Sequence, residues 1–87
     1  MAMPRSEIVA RVNQTLQDEF EISEEKITAD KRLREDLDLD SLDAVDMIAA
    51  LEQGLRIQID EEQAKKVRTV GELYDFVERM LGVAKKS

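Results

Sequence analysis

Asp36-Leu37-Asp38-Leu39-Asp40-Ser41-Leu42-Asp43-Ala44-Val45-Asp46 marks the start of a helix inside an acidic run. From Ser41 onward, Leu42, Val45, Ile48 and Leu51 recur at helical spacing. They predict a helix over about 41–53 with those four residues as its buried stripe. Asp40 or Ser41 can cap its start, and Gly54 is the expected left-handed stop. Before Ser41, Leu37 and Leu39 suit a core better than an exposed loop.

Three chemistries compete for this stretch. Asp36, Asp38 and Asp40 occupy the first, third and fifth positions of a calcium loop. That loop needs glycine sixth and a bidentate glutamate twelfth, where this chain has Ser41 and Met47. No metal is therefore expected. A nucleophilic serine needs a base, and the chain contains no histidine; no lysine lies close in sequence to Ser41 either. Catalysis is not expected. The third possibility is a handle that another enzyme modifies. A helix N-terminus favours a phosphate-bearing group through its free N–H groups and its dipole, partly offsetting repulsion from Asp38, Asp40 and Asp43. A lone serine before an apolar stripe is more often simply a cap.

The rest of the chain agrees with a small helical domain. At 87 residues it is one domain, expected to be ordered over about 4–82. It has no cysteine and therefore no disulfide or thiolate chemistry. Phe20, Tyr74 and Phe76 are its only aromatics, so the core must be mainly aliphatic. A formal charge of −7 disfavours nucleic acid and anionic membrane surfaces and favours partners with basic patches. No stretch is apolar enough to span a membrane, and the N-terminus has no apolar targeting region. A cytoplasmic monomer is expected. The initial methionine and short polar tail favour a freestanding chain.

Upstream, a helix beginning near Pro4-Arg5-Ser6 carries Ile8, Val12, Leu16 and Phe20 on one face, with Pro4 in its first turn. The connection from about Glu21 to Asp40 is long, but Ile22, Ile27, Leu33, Leu37 and Leu39 can tack it down. It reads as an ordered, packed loop with room for a turn of helix. Downstream, a short helix is expected over Asp60 to Lys66. The last helix opens at Thr69-Val70-Gly71-Glu72, a capping-box pattern, and buries Val70, Leu73, Phe76, Val77 and Met80 or Leu81. It should stop near Gly82, with Val83 to Ser87 frayed. The fold class is all-α: three main helices plus one short helix, with a long ordered loop between the first and second.

Asp40-Ser41-Leu42, preceded by Glu35-Asp36-Leu37 and followed by Asp43-Ala44-Val45-Asp46 and Ala50-Leu51-Glu52, resembles the signature of the acyl carrier protein family. Ile59-Asp60-Glu61-Glu62-Gln63-Ala64 and Thr69-Val70-Gly71-Glu72-Leu73 resemble that family in order and spacing. The likeness extends from about Ser6 to Gly82.

The resemblance implies that Ser41 accepts 4′-phosphopantetheine from coenzyme A through a phosphopantetheinyl transferase. The arm's thiol then carries acyl groups as thioesters in fatty-acid or related lipid and polyketide-type synthesis. It implies a recognition helix after the serine, where Asp40, Asp43, Asp46 and Glu52 meet basic docking patches beside the apolar Leu42 and Val45. The partners would be ketosynthase, reductase, dehydratase or acyltransferase-type enzymes. It further implies that Ile48, Leu51, Leu55, Ile59, Ala64 and Val67 could part, with Val45, to shelter an acyl chain; they serve equally as ordinary packing. Two other readings stay open: a peptidyl or aminoacyl carrier, disfavoured by the aspartate-rich context, and an acidic interaction module that is never modified. Housekeeping fatty-acid carriers usually have glycine where this chain has Asp38 and proline where it has Ile59. They also tend to be more acidic where it has Gln53, Gly54, Arg56 and Gln58. The run Leu39-Asp40-Ser41-Leu42-Asp43-Ala44-Val45-Asp46 is closer to specialised carriers associated with secondary lipid or polyene-type pathways.

Overall fold

A computed structural model describes residues 3–85, with side chains through Gly82. Three long helices and one short one follow in order: α1 (Arg5–Phe20), α2 (Ser41–Leu55), α3 (Glu61–Ala64) and α4 (Val70–Lys85). A 3-10 turn over Glu24–Lys26 lies in the long α1–α2 connection. The expected all-α bundle is present, and no strand is found among the described residues.

Each long helix buries one stripe. Ile8, Val12 and Leu16 of α1 meet Met47, Ile48 and Leu51 of α2, and Val70, Leu73, Tyr74, Phe76 and Val77 of α4, in one core. Burial of each large side chain here contributes roughly 1.5–3 kcal/mol before conformational entropy is counted. Tyr74 belongs to this core although the apolar pattern alone passes over it. Its ring is buried, and its hydroxyl donates to Asn13 Oδ1 at 2.6 Å, giving the phenol its needed partner. Burial raises the Tyr74 pKa above its ordinary value, against smaller opposing effects of Asn13 and Arg5.

The connection from Glu21 to Asp40 is pinned at both faces. Ile27, Leu33, Leu37 and Leu39 are buried in the core and Ile22 packs against it. On its outer side the backbone pairs antiparallel with the start of α4. Leu33 N–H donates to Arg68 O at 2.8 Å, Val70 N–H to Lys31 O at 3.0 Å, and Gly71 N–H to Ala29 O at 2.9 Å. Gly71 suits this close approach, because a Cβ there would lie 3.1 Å from Ala29 O. Within the loop, Thr28 Oγ1 donates to Asp30 at 2.6 Å, and that bond first of all holds the Asp30 carboxyl below its ordinary pKa.

Several boundaries and stripes differ from expectation. α2 does not stop at Gly54; it runs on to Leu55 and ends at Arg56, which takes the left-handed conformation at φ 56°. The extra residues bring Leu55 onto the core in register with Ile48 and Leu51, and that burial outweighs the poor helix propensity of glycine. Leu42 and Val45 are not buried: they are 76% and 41% exposed, and Met47 takes the inward position instead. α3 is one turn, Glu61–Ala64, shorter than the expected Asp60 to Lys66, because Asp60 is spent as its cap. α4 passes Gly82 in ordinary helical backbone and continues to Lys85, since no glycine adopts positive φ. Pro4 sits one residue before α1, as its N-cap. The fraying expected over Val83 to Ser87 falls partly on Lys86 and Ser87, which lie outside the described residues.

Candidate functional site

The α1–α2 loop delivers the chain to the first turn of α2 with Asp40 in extended backbone. Asp40 Oδ1 accepts from Asp43 N–H at 3.0 Å, and Asp43 Oδ2 accepts from Asp40 N–H at 3.2 Å, a reciprocal capping box. Ala44 N–H goes to Asp40 O at 3.0 Å. Ser41 is thus the first helical residue, exposed, and the capping duty belongs to its neighbour. The N–H groups of Ser41 and Leu42 are the donors that the first turn leaves over. An exposed hydroxyl at the positive end of a 15-residue helix is well set to carry a phosphoryl group.

The aspartates around it have separate duties. Asp36 Oδ2 accepts from Arg32 N–H at 2.8 Å and closes a turn of the loop. Asp38 adopts φ 58°, a left-handed conformation that aspartate tolerates and glycine prefers. The same backbone would suit glycine at this position. Asp36 and Asp40 each spend one carboxylate oxygen on a backbone N–H of the turn that they close.

Of the residues expected to meet partners, Asp46 is exposed on α2 together with Leu42 and Val45. Asp43 is half-buried in the capping box. Glu52 has a further duty that no sequence signal announced: its Oε2 accepts from Ile59 N–H at 2.8 Å, tying the end of α2 to the entry of α3.

An open cleft of about 770 Å³ begins at Ser41 and runs between α2, the α1–α2 loop and the α3–α4 connection. Ile48, Ala64 and Val67 of the expected acyl-sheltering set line it, with Val45, Leu39 and Met47. Leu51, Leu55 and Ile59 do not line it; they are packed in or against the core. Sequence spacing could not separate these two groups, because both fall on inward faces. Arg32, Arg34, Lys65 and Arg68 also line the cleft, and their convergence depends on the pairing of two distant segments.

Among the described residues no helix is long and apolar enough to cross a membrane. The model of the phosphopantetheine attachment site family matches residues 10–77. An acyl carrier protein of Thermosynechococcus vestitus is 37% identical over 75 residues, spanning 86% of this chain and 93% of that protein. One of Saccharopolyspora erythraea is 38% identical over 74 residues, spanning 85% of this chain and 78% of its own. The crystal structure of an acyl carrier protein from Thermotoga maritima superposes with a TM-score of 0.79, over 92% of this chain and 93% of that one. At 24% identity it speaks for the fold alone.

Proposed function

This chain belongs to the acyl carrier protein family, whose cofactor is phosphopantetheine, and from that premise we propose that Ser41 carries the arm. The supporting observation is the division of labour at the start of α2: Asp40 caps the helix, so the Ser41 hydroxyl is exposed and has no capping task. In the transfer, the serine oxygen attacks the phosphorus of coenzyme A that bears the pantetheine arm, forming the new phosphoester as the pyrophosphate bond breaks and adenosine 3′,5′-bisphosphate leaves. The serine proton leaves to a base of the transferase, since this chain has no histidine to take it.

The arm supplies the thiol that a cysteine-free chain lacks, and acyl groups ride on it as thioesters. On this reading the chain is a cytoplasmic carrier and catalyses nothing itself. Its partners are a phosphopantetheinyl transferase and ketosynthase, reductase, dehydratase or acyltransferase-type enzymes of fatty-acid or related synthesis. Asp46, with Asp40 and Asp43 beside it, meets their basic patches, while Leu42 and Val45 supply a small apolar contact. Exposed charge pairs of this kind speed encounter without prolonging the complex. The cleft walls of Ile48, Ala64 and Val67 offer the acyl chain shelter from water.

The test is intact-protein mass spectrometry after incubation with a broad-specificity transferase, magnesium and coenzyme A. The expected result is a gain of one phosphopantetheine on the wild type and none on Ser41→Ala, with both equally stable. A folded wild type that gains nothing, beside a known carrier that is modified, would favour an acidic interaction module instead.

A further inference from the structure

Charge in this chain is segregated. Residues 35–64 carry ten carboxylates and one cation, Arg56. Six of the 13 lysines and arginines fall instead in two short runs, Lys31, Arg32 and Arg34, and Lys65, Lys66 and Arg68. The runs are distant in sequence, but the fold lays them side by side. Leu33 N–H donates to Arg68 O at 2.8 Å and Val70 N–H to Lys31 O at 3.0 Å, with Arg32 bridged to Thr69 between them.

Lys31 is half-buried and the other five are exposed. The ion pairs of Arg32 with Glu35 and of Lys65 with Glu62 are both 3.8 Å long and face solvent, so they neutralise little of this charge. Four of the six line the same cleft as Asp40, Ser41 and Val45, together with the carboxylates Glu35, Glu61 and Glu72. The seam is thus basic through its six cations but interspersed with acids. The mouth beside Ser41 therefore has an acidic flank on α2 and a basic flank on the paired segments.

We infer that this basic seam is a second docking surface, which receives an acidic patch on an enzyme whose adjoining basic patch meets α2. A membrane of anionic lipid, or a nucleic acid, presents one sign across its whole face, and the carboxylates beside the seam repel it. A folded protein surface can present both signs in order. Paired patches of opposite sign fix the orientation in which a partner approaches Ser41. They also reject a partner whose whole docking face is basic, because the seam then meets like charge. This goes beyond arm attachment, and its test uses the chain without an arm, so the two stand or fall separately.

Isotope-labelled protein is titrated at low salt with a peptide whose lysine block and glutamate block are joined by a Gly-Ser linker. The controls are a peptide of the same composition with alternating charges, and an all-lysine peptide. The block peptide should bind roughly tenfold more tightly than the alternating one and shift the amides of α2, 31–34 and 65–68 together. Arg34→Glu with Arg68→Glu should remove that advantage while leaving the all-lysine peptide bound at least as tightly. Arg34→Gln with Arg68→Gln should lose part of it, with helix content unchanged in both variants. Equal binding of block and alternating peptides, or an advantage that survives Arg34→Glu with Arg68→Glu, overturns the inference. So does binding of the wild type, but not of that variant, to phosphatidylglycerol-containing vesicles, which would assign the seam to a lipid surface.

Discussion

The α1–α2 loop and the first turn of α2 adjoin at Asp40, and they are constrained in opposite ways. The loop is irregular in backbone, yet four of its aliphatic side chains are buried and its outer edge is bonded to the start of α4. The first turn of α2 has regular backbone and a reciprocal cap, yet Ser41, Leu42 and Val45 point into solvent. Regularity and constraint are thus separate properties. Backbone hydrogen bonds hold the helix start, which frees its side chains for outside contacts. The loop must spend its side chains on the core, because its backbone has no ladder of its own.

The sharpest test of this contrast uses two leucines nine residues apart. Leu33→Ala, in the loop and 8% exposed, should cost about 2–4 kcal/mol in urea unfolding, as a buried truncation does. Leu42→Ala, 76% exposed in the helix, should change stability by less than about 0.5 kcal/mol. Comparable losses would break the comparison.

Two glycines sharpen it further. Gly71→Ala drives a Cβ to 3.1 Å from Ala29 O, a backbone atom held in place by the very bond Gly71 makes. We expect a net loss of about 1 kcal/mol, the strain exceeding the gain in helix propensity. Gly54→Ala meets nothing within 4 Å and should gain up to about 1 kcal/mol. Urea midpoints that move in the same direction for both would refute the account of the loop clamp.

Glu52→Gln retains an acceptor for Ile59 N–H, whereas Glu52→Ala removes it and should cost about 1 kcal/mol. If both variants are equally stable as wild type, Glu52 is free for partners and has no structural duty.

The smallest effect is a pH dependence from Tyr74. Its pKa is raised by burial, so the folded chain holds the phenol proton more tightly than the unfolded chain. The contribution is fully present below the ordinary tyrosine pKa of about 10 and is lost as pH rises through the folded value. Melting temperature should therefore fall more steeply with alkaline pH in the wild type than in Tyr74→Phe. Parallel slopes would show the ring to be less buried than described.

Much of this architecture was legible from local pattern. The Ile8–Val12–Leu16 spacing, the leucines of the loop and the Asp40-Ser41-Leu42 start of α2 all express short-range rules: helical period, capping chemistry and the need to bury aliphatic groups. Whether Asp40 or Ser41 caps α2 stayed open in that pattern; the structure gives the cap to Asp40, whose carboxylate oxygen reaches the third N–H of the turn and leaves Ser41 unencumbered.

Other features depend on where the packed core places a segment, which helical period and capping chemistry do not decide. Leu42 and Val45 share the helical spacing of Ile48 and Leu51, but only the position of α1 and α4 leaves the first pair without a neighbour. Gly54 resembles a stop until Leu55 finds the core. Glu52 looks like any surface acid until Ile59 N–H returns beside it. The basic seam exists because three backbone bonds join 29–33 to 68–71. Local propensity assigns each residue a conformation, whereas exposure and charge grouping are set by which segments the core brings together.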